Sequence, residues 1–165
     1  MSRHVVTDFV NYNDSRLLKE YFDSNQHLCG DIREEHKHRN IHFKVIEDNV
    51  VRDTLVFYGQ KLQLEIDKVF NTECKPWNDP RLCRWSEGES MVLHGDNENG
   101  IDLMKYSAII YLNEDYEGGE IKFEDGDLYK LSENSVIFFE SGIQNRHQVL
   151  EIKKGKRYTI PLWYQ

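Results

Sequence analysis

The sequence predicts a mainly β chain with N-terminal helices, a jelly-roll or sandwich core packed against those helices. Two observations carry this. From residue 90 onward, short runs rich in β-branched and aromatic residues follow one another: MVLH, YSAIIYL, GEIKF, LYKL, SVIFF, HQVLEI and RYTIPLWY. Turn signals separate them, notably Asp125-Gly126, a hairpin dipeptide. Before residue 90 the period lengthens. Between Asn49 and Phe70 the apolar positions Val51, Leu55, Tyr58, Leu62, Ile66 and Val69 recur at three- and four-residue steps, the stripe of an amphipathic helix. Many evenly spaced short strands close into a double-layered roll, which the helices would cover on one side.

Taken in order, residues 4–10 (HVVTDFV) read as a strand. NYNDSRLLKEYFDS then reads as a helix capped by Asn13 or Asp14. Residues 41–46 (IHFKVI) alternate and suggest a second strand. Residues 71–89 hold two of the three prolines and two tryptophans without regular pattern, and read as a loop. The expected organisation is a single domain over 1–165, with 1–89 as support and substrate loop and 90–165 as the jelly-roll core.

Composition narrows the function classes. A hydrophobic content of 39% with 12% aromatics is that of a folded globule. A net charge of −8 speaks against a nucleic-acid partner, whose phosphates select basic surfaces. No run is long and apolar enough for a membrane span, and MSRHVVTDF lacks the apolar run of a signal peptide. Cys29, Cys74 and Cys83 are odd in number and show no C-x-x-C spacing, as expected of reduced thiols in a cytoplasmic protein.

The chemistry is concentrated around LHGDNENG, residues 93–100. His94 and Asp96 sit one residue apart at the end of a predicted strand. Side chains at that spacing project from one face, so the pair reads as two ligands of a metal site. The third ligand must come from elsewhere, and His147 is the only histidine after His94. Two histidines and one carboxylate on a β-scaffold form the facial set of non-haem Fe(II) oxygenases, which leaves metal positions open. An isolated H-x-D is a weak signal. Arg157, ten residues after His147 and opening the last strand, strengthens it, because a guanidinium offers a planar fork of donors to a carboxylate.

With those residues in place, the second half of the chain resembles the prolyl 4-hydroxylase-like branch of the Fe(II)/2-oxoglutarate-dependent dioxygenases, in its compact bacterial and phage-type form. The resemblance rests on H-G-D-N at 94–97, IIYLNEDYEGGEIKF at 109–123, SVIFF at 135–139, NRHQV at 145–149 and KRYTIPLWY at 156–164, with R-W-x-x-G before the metal motif. It implies a double-stranded β-helix. It also implies Fe(II) held by His94, Asp96 and His147, and the distal carboxylate of 2-oxoglutarate held by Arg157 and Tyr111, with Thr159 lining the same pocket. The implied reaction couples decarboxylation of 2-oxoglutarate to succinate, at the expense of O2, with hydroxylation of a C–H bond. Ascorbate is a candidate reductant. Related halogenases give up the carboxylate ligand, so Asp96 favours hydroxylation. The implied substrate is a prolyl residue of a peptide or protein, with a small molecule as the alternative; nucleic acid and membrane are not expected as partners.

Two departures from the family pattern are visible. Where relatives carry tyrosines nine or ten residues and three residues before the first histidine, this chain has Trp85 and Met91. The 2-oxoglutarate pocket must therefore be finished differently, by Tyr111 and Arg157 alone on this reading. Gly118 and Gly119 are read as turn glycines. Trp77 and Trp85 are candidate substrate-loop aromatics, and Arg146 a candidate at the substrate mouth. His36, His38 and His42 read as part of a solvated charged segment rather than a zinc site. Lys153, Lys154 and Lys156 read as an exposed turn, and Phe138 and Phe139 as core. Three rivals remain: a nucleobase-directed oxygenase, a cupin-like metal-binding module without 2-oxoglutarate, and a degenerate member kept for interactions.

Overall fold

The computed structural model describes residues 2–30, 38–98 and 103–165. Among the described residues, twelve strands form a six-stranded and a four-stranded antiparallel sheet and one two-stranded pair, and two α-helices cover one side. Strand β1 (Arg3–Val6) leads into α1 (Tyr12–Ser24). The Asn11 side chain caps α1 by accepting from Asn13 N, two or three residues earlier than the sequence suggested. Strand β2 (Arg39–His42) follows, and a short 3-10 turn at Phe43–Val45 ends it earlier than the alternation of IHFKVI implied. Helix α2 (Asn49–Phe70) is capped by Asp48, whose carboxylate accepts from Val50 N and Val51 N.

The α2 stripe behaves as its period predicts: Val51, Leu55, Tyr58, Leu62 and Ile66 are each no more than 2% exposed. Each such apolar side chain contributes about 1.5–3 kcal/mol of transfer free energy. Val69 is the exception at 38% exposed, because the last turn presents Phe70 to the core instead.

Residues 71–89 are not a loop throughout. Strand β3 (Arg81–Trp85) runs through them and lies between β2 and the last strand. Its two arginines disguised it: Arg81 and Arg84 break the apolar pattern, yet the strand is covered on both faces. The remaining strands are β4 (Met91–His94), β5 (Tyr106–Tyr111), β6 (Glu117–Gly118), β7 (Ile121–Phe123), β8 (Leu128–Tyr129), β9 (Val136–Glu140), β10 (His147–Val149), β11 (Ile152–Lys154) and β12 (Arg157–Tyr164). Gly126 turns the β7–β8 hairpin at φ 101°, as Asp125-Gly126 predicted.

The major sheet has the order β1-β9-β5-β12-β3-β2, the minor sheet β4-β10-β7-β8, and β6 pairs with β11. Alternation divides the major sheet's side chains between two cores. Leu82, Ala108, Ile110, Val136, Phe138, Tyr158, Ile160 and Leu162 pack against the helices. Tyr111, Ile137 and Phe139 pack on the opposite face against Ile121 and Phe123 of the minor sheet. The adjacent Phe138 and Phe139 thus fill different cores. The space between the two sheets is where the polar residues of interest collect. This is a double-stranded β-helix packed against helices, as expected. Among the described residues no helix is long and apolar enough to cross a membrane.

Candidate active site

Register brings His94 and His147 together. They are direct partners across the antiparallel β4–β10 pair, so both rings leave the same face, with centroids 4.6 Å apart. Asp96 arrives differently from the strand-end reading. Strand β4 stops at His94, and Asp96 lies in the turn that follows, closed by Glu98 N donating to Gly95 O at 3.2 Å. That turn sets Asp96 Oδ1 3.5 Å from His94 Nε2. One ligand-type atom from each of His94, Asp96 and His147 falls within 4.8 Å of the others, a spacing that can hold one metal ion.

The ring nitrogens are oriented from behind. His94 Nδ1 faces Val92 O at 2.9 Å and His147 Nδ1 faces Asn145 O at 3.0 Å. Such contacts fix each imidazole's tautomer and leave Nε2 for a metal. Burial opposes the charge on Asp96, but hydrogen bonds from His94 and Ser107 and the nearby His147 outweigh it and hold the carboxyl down at about 2. Burial lowers His147, whereas for His94 the Asp96 contact outweighs burial and raises it. The cluster is therefore anionic at one oxygen pair and neutral at one imidazole, a donor set suited to a divalent cation.

At the other end of the inter-sheet space lies Arg157. It is 1% exposed and forms no ion pair with a carboxylate among the described residues. Its Nη2 donates to Tyr111 Oη at 3.0 Å, and its guanidinium carbon sits 4.7 Å from the Tyr111 ring and 5.5 Å from the Trp85 ring. Burial disfavours its charge, but the phenolic oxygens of Tyr111 and Tyr116 outweigh this and keep it cationic. Thr159 is also buried on this face, opposite both Tyr111 and Cys83. Gly119, at φ 68°, lets the backbone pass close to Arg157: a Cβ there would meet Ile152 and lie 3.2 Å from Arg157 Cδ. Gly118, at φ 77°, is the turn glycine expected, and a Cβ on it would strike the Glu151 carbonyl.

A buried cation without a counter-ion is costly, and buried donors without acceptors are rare. Here several coincide. Arg157 Nε, Trp85 Nε1 and Tyr116 Oη are all buried without a hydrogen-bond partner among the described residues. Because Tyr111 accepts from Arg157, its own O–H is free to donate elsewhere. The chemistry of this end fits an anionic, multi-acceptor group such as a carboxylate. The residues present thus fit both a divalent metal at one end and a carboxylate-bearing molecule reaching from it.

Some placements differ from the sequence reading. Trp85 is not on a loop: it ends β3, is 4% exposed and faces Arg157 across the β3–β12 pair. Trp77 is half-buried, and its backbone N–H donates to Trp163 O at 2.8 Å, near the far end of β12 from Arg157. Arg146 is engaged by Glu98 (Nε–Oε1 2.5 Å) and Glu124 (Nη1–Oε1 2.8 Å), tying the Asp96 turn to the β7–β8 hairpin. Of the histidine cluster, His36 lies outside the described residues. His38 is not solvated: it is 8% exposed and stacks on Trp85 at 4.0 Å. Lys153, Lys154 and Lys156 are exposed as expected.

Two contributors were missed. Ser107 lies beside the Asp96 carboxylate, helps keep it ionised, and meets Ser141 Oγ at 2.6 Å; its period-two spacing from Tyr111 was the available signal. Tyr116 lies outside any strand, so no periodicity pointed to it.

Comparison with known proteins agrees with this geometry. The description "2OG-Fe(II) oxygenase superfamily" matches residues 80–165. Prolyl 3-hydroxylase 2 of Homo sapiens and prolyl 3-hydroxylase 1 of Gallus gallus are each 38% identical over 65 residues, covering 36% of this chain. The match spans only 9% of the length of those curated relatives. Among solved structures, a viral collagen prolyl hydroxylase from Paramecium Bursaria Chlorella virus-1 superposes with a TM-score of 0.78 at 16% identity, covering 99% of this chain and 96% of that one. A Pseudomonas putida prolyl-4-hydroxylase gives 0.78 at 18% identity, covering 99% and 91%. A Trichoplax adhaerens prolyl hydroxylase, solved with a hypoxia inducible factor peptide fragment, gives 0.79 at 16%, covering 98% and 82%. The match over more than half the sequence shows the family, and the structural likeness shows the shared fold: this chain belongs to the 2OG-Fe(II) oxygenase superfamily.

Proposed function

We propose that this protein is an Fe(II)/2-oxoglutarate-dependent dioxygenase that hydroxylates a prolyl residue of a peptide or protein, releasing succinate and CO2. The observation that carries the reading is the pairing of the His94–Asp96–His147 cluster with a fully buried, uncompensated Arg157 at the other end of the same inter-sheet space. A cupin-like metal module would have no use for that buried cation. Prolyl specificity is supported by the names of the relatives, which are prolyl hydroxylases by sequence match and by fold.

In this mechanism His94, Asp96 and His147 would hold ferrous iron. The iron would supply the dioxygen activation and hydrogen abstraction that side chains cannot. Arg157 and Tyr111 bind the distal carboxylate of 2-oxoglutarate, which orients its oxo-acid end toward the metal ligands. Thr159 lines the passage between. Ile137, Phe139 and Phe123 form an apolar wall that keeps water from the reacting centre. Ser107 holds the Asp96 carboxylate in place from the major sheet. Arg146 steadies the metal turn through Glu98. Ascorbate would serve to return oxidised iron to the ferrous state.

The test has two stages. Anaerobic titration of Fe(II)-loaded protein with 2-oxoglutarate should produce a saturable visible charge-transfer band. Incubation with proline-containing peptides under air should then yield succinate together with a peptide heavier by one oxygen. Iron binding without a band removes the co-substrate; a band without peptide oxidation, but with oxidation of a small molecule, removes the prolyl substrate.

A further inference from the structure

The Arg157 end of the site holds more buried donors than Tyr111 and Arg157 supply. We propose that the Trp85 indole N–H and the Tyr116 hydroxyl are direct donors to the distal carboxylate of the co-substrate, completing its binding site. This deepens the dioxygenase reading and rests on it.

Geometry carries the inference. Trp85 and Arg157 are paired residues across β3 and β12, so their side chains leave the sheet on the same face and toward the minor sheet. Trp85 packs with Tyr116, Val149 and Ile152, which brings indole and phenol into one cluster beside the guanidinium. The indole plane is held by His38, stacked at 4.0 Å and 20°. A locked, buried indole has a single polar atom, and here that atom has no partner among the described residues. The Tyr116 hydroxyl neighbours Arg157 but is also without a hydrogen bond of regular geometry. Burial first of all raises its pKa to about 12, so it stays protonated and able to donate.

A carboxylate offers about four lone-pair sites on two oxygens, and Arg157, the Tyr111 O–H, the Tyr116 O–H and the Trp85 N–H are buried groups able to donate to them. Gly119 allows this packing, since a Cβ there would lie 3.2 Å from both Arg157 Cδ and Tyr116 Cε2. A merely structural role for Trp85 would be expected to bury its N–H against a carbonyl, as buried indoles normally do.

The experiment compares two ligands that chelate metal identically but differ at the distal end: 2-oxoglutarate, and 2-oxopentanoate, which ends in a methyl group. Dissociation constants are read anaerobically on Fe(II)-loaded protein from the charge-transfer band, for wild type, Trp85→Phe and Tyr116→Phe. Wild type should prefer 2-oxoglutarate by about a hundredfold or more. Each variant should lose about tenfold in 2-oxoglutarate affinity, the scale of a hydrogen bond to a charged group, with 2-oxopentanoate binding unchanged. Equal losses for both ligands would mean that the side chains only shape the pocket and would overturn the proposal. So would variants that keep the wild-type preference. Absence of any preference in the wild type would instead remove the 2-oxoglutarate reading itself.

Discussion

Replacing Arg157 by methionine separates binding from stability, because affinity should fall while stability stays nearly unchanged. In the ligand-free protein the guanidinium is buried with one hydrogen bond, to Tyr111, and two aromatic faces within 5.5 Å. Losing the hydrogen bond costs about 1.5–3 kcal/mol. Losing the cation–π contacts costs about 1–2 kcal/mol together. Against this, methionine fills similar volume and removes the desolvation penalty of an uncompensated ion, several kcal/mol. The net change in unfolding free energy should therefore lie within about 2 kcal/mol of zero.

Affinity for 2-oxoglutarate should instead fall by about 2–5 kcal/mol, the cost of taking one partner from a desolvated charge pair. Thermal unfolding with and without co-substrate reads both quantities. At a hundred times its dissociation constant a ligand stabilises the fold by about 2.7 kcal/mol. For a chain of this size that is a rise of roughly 5–11 °C. Wild type loaded with a redox-inert divalent metal should show this rise. Arg157→Met should start near the wild-type midpoint and show almost none of it. A variant that melts many degrees lower yet still gains the full ligand shift would refute the reasoning, since Arg157 would then be a structural cation only.

His147→Ala should abolish tight iron binding and all succinate formation; retention of stoichiometric iron after gel filtration would remove it from the ligand set. Ser107→Ala removes the hydroxyl that helps keep Asp96 ionised without touching the metal, and should weaken iron affinity by about 10–100-fold, measured by competition with a chromogenic chelator. Gly118→Ala forces a Cβ toward the Glu151 carbonyl at a positive φ, and should destabilise the fold by about 1–3 kcal/mol in urea denaturation; a neutral result would mean that the β6–β11 turn relaxes freely.

Local pattern by itself determined the secondary structure where one face is dry and the other wet. The α2 stripe and the alternating strands after residue 90 are of this kind, because burial of one face imposes the helical or the period-two repeat on the sequence. The three ligand-type residues were also legible, since a metal demands particular side chains and few histidines were available to choose from. What tertiary structure alone decided follows from pairing between distant segments. Strand β3 went unread because both of its faces are covered, which erases alternation and admits two arginines. Trp85 looked like a loop aromatic until its pairing with Arg157 placed it inside the site. Asp96 reaches His94 through a turn rather than along a strand, and turn conformation depends on what the chain must meet next. Tyr116 follows β5 in irregular backbone, so no period marked it. Its position is set by Gly118 and Gly119 and by packing against Trp85, Val149 and Ile152 of β3, β10 and β11, contacts that are non-local and become visible only once the sheets are assembled.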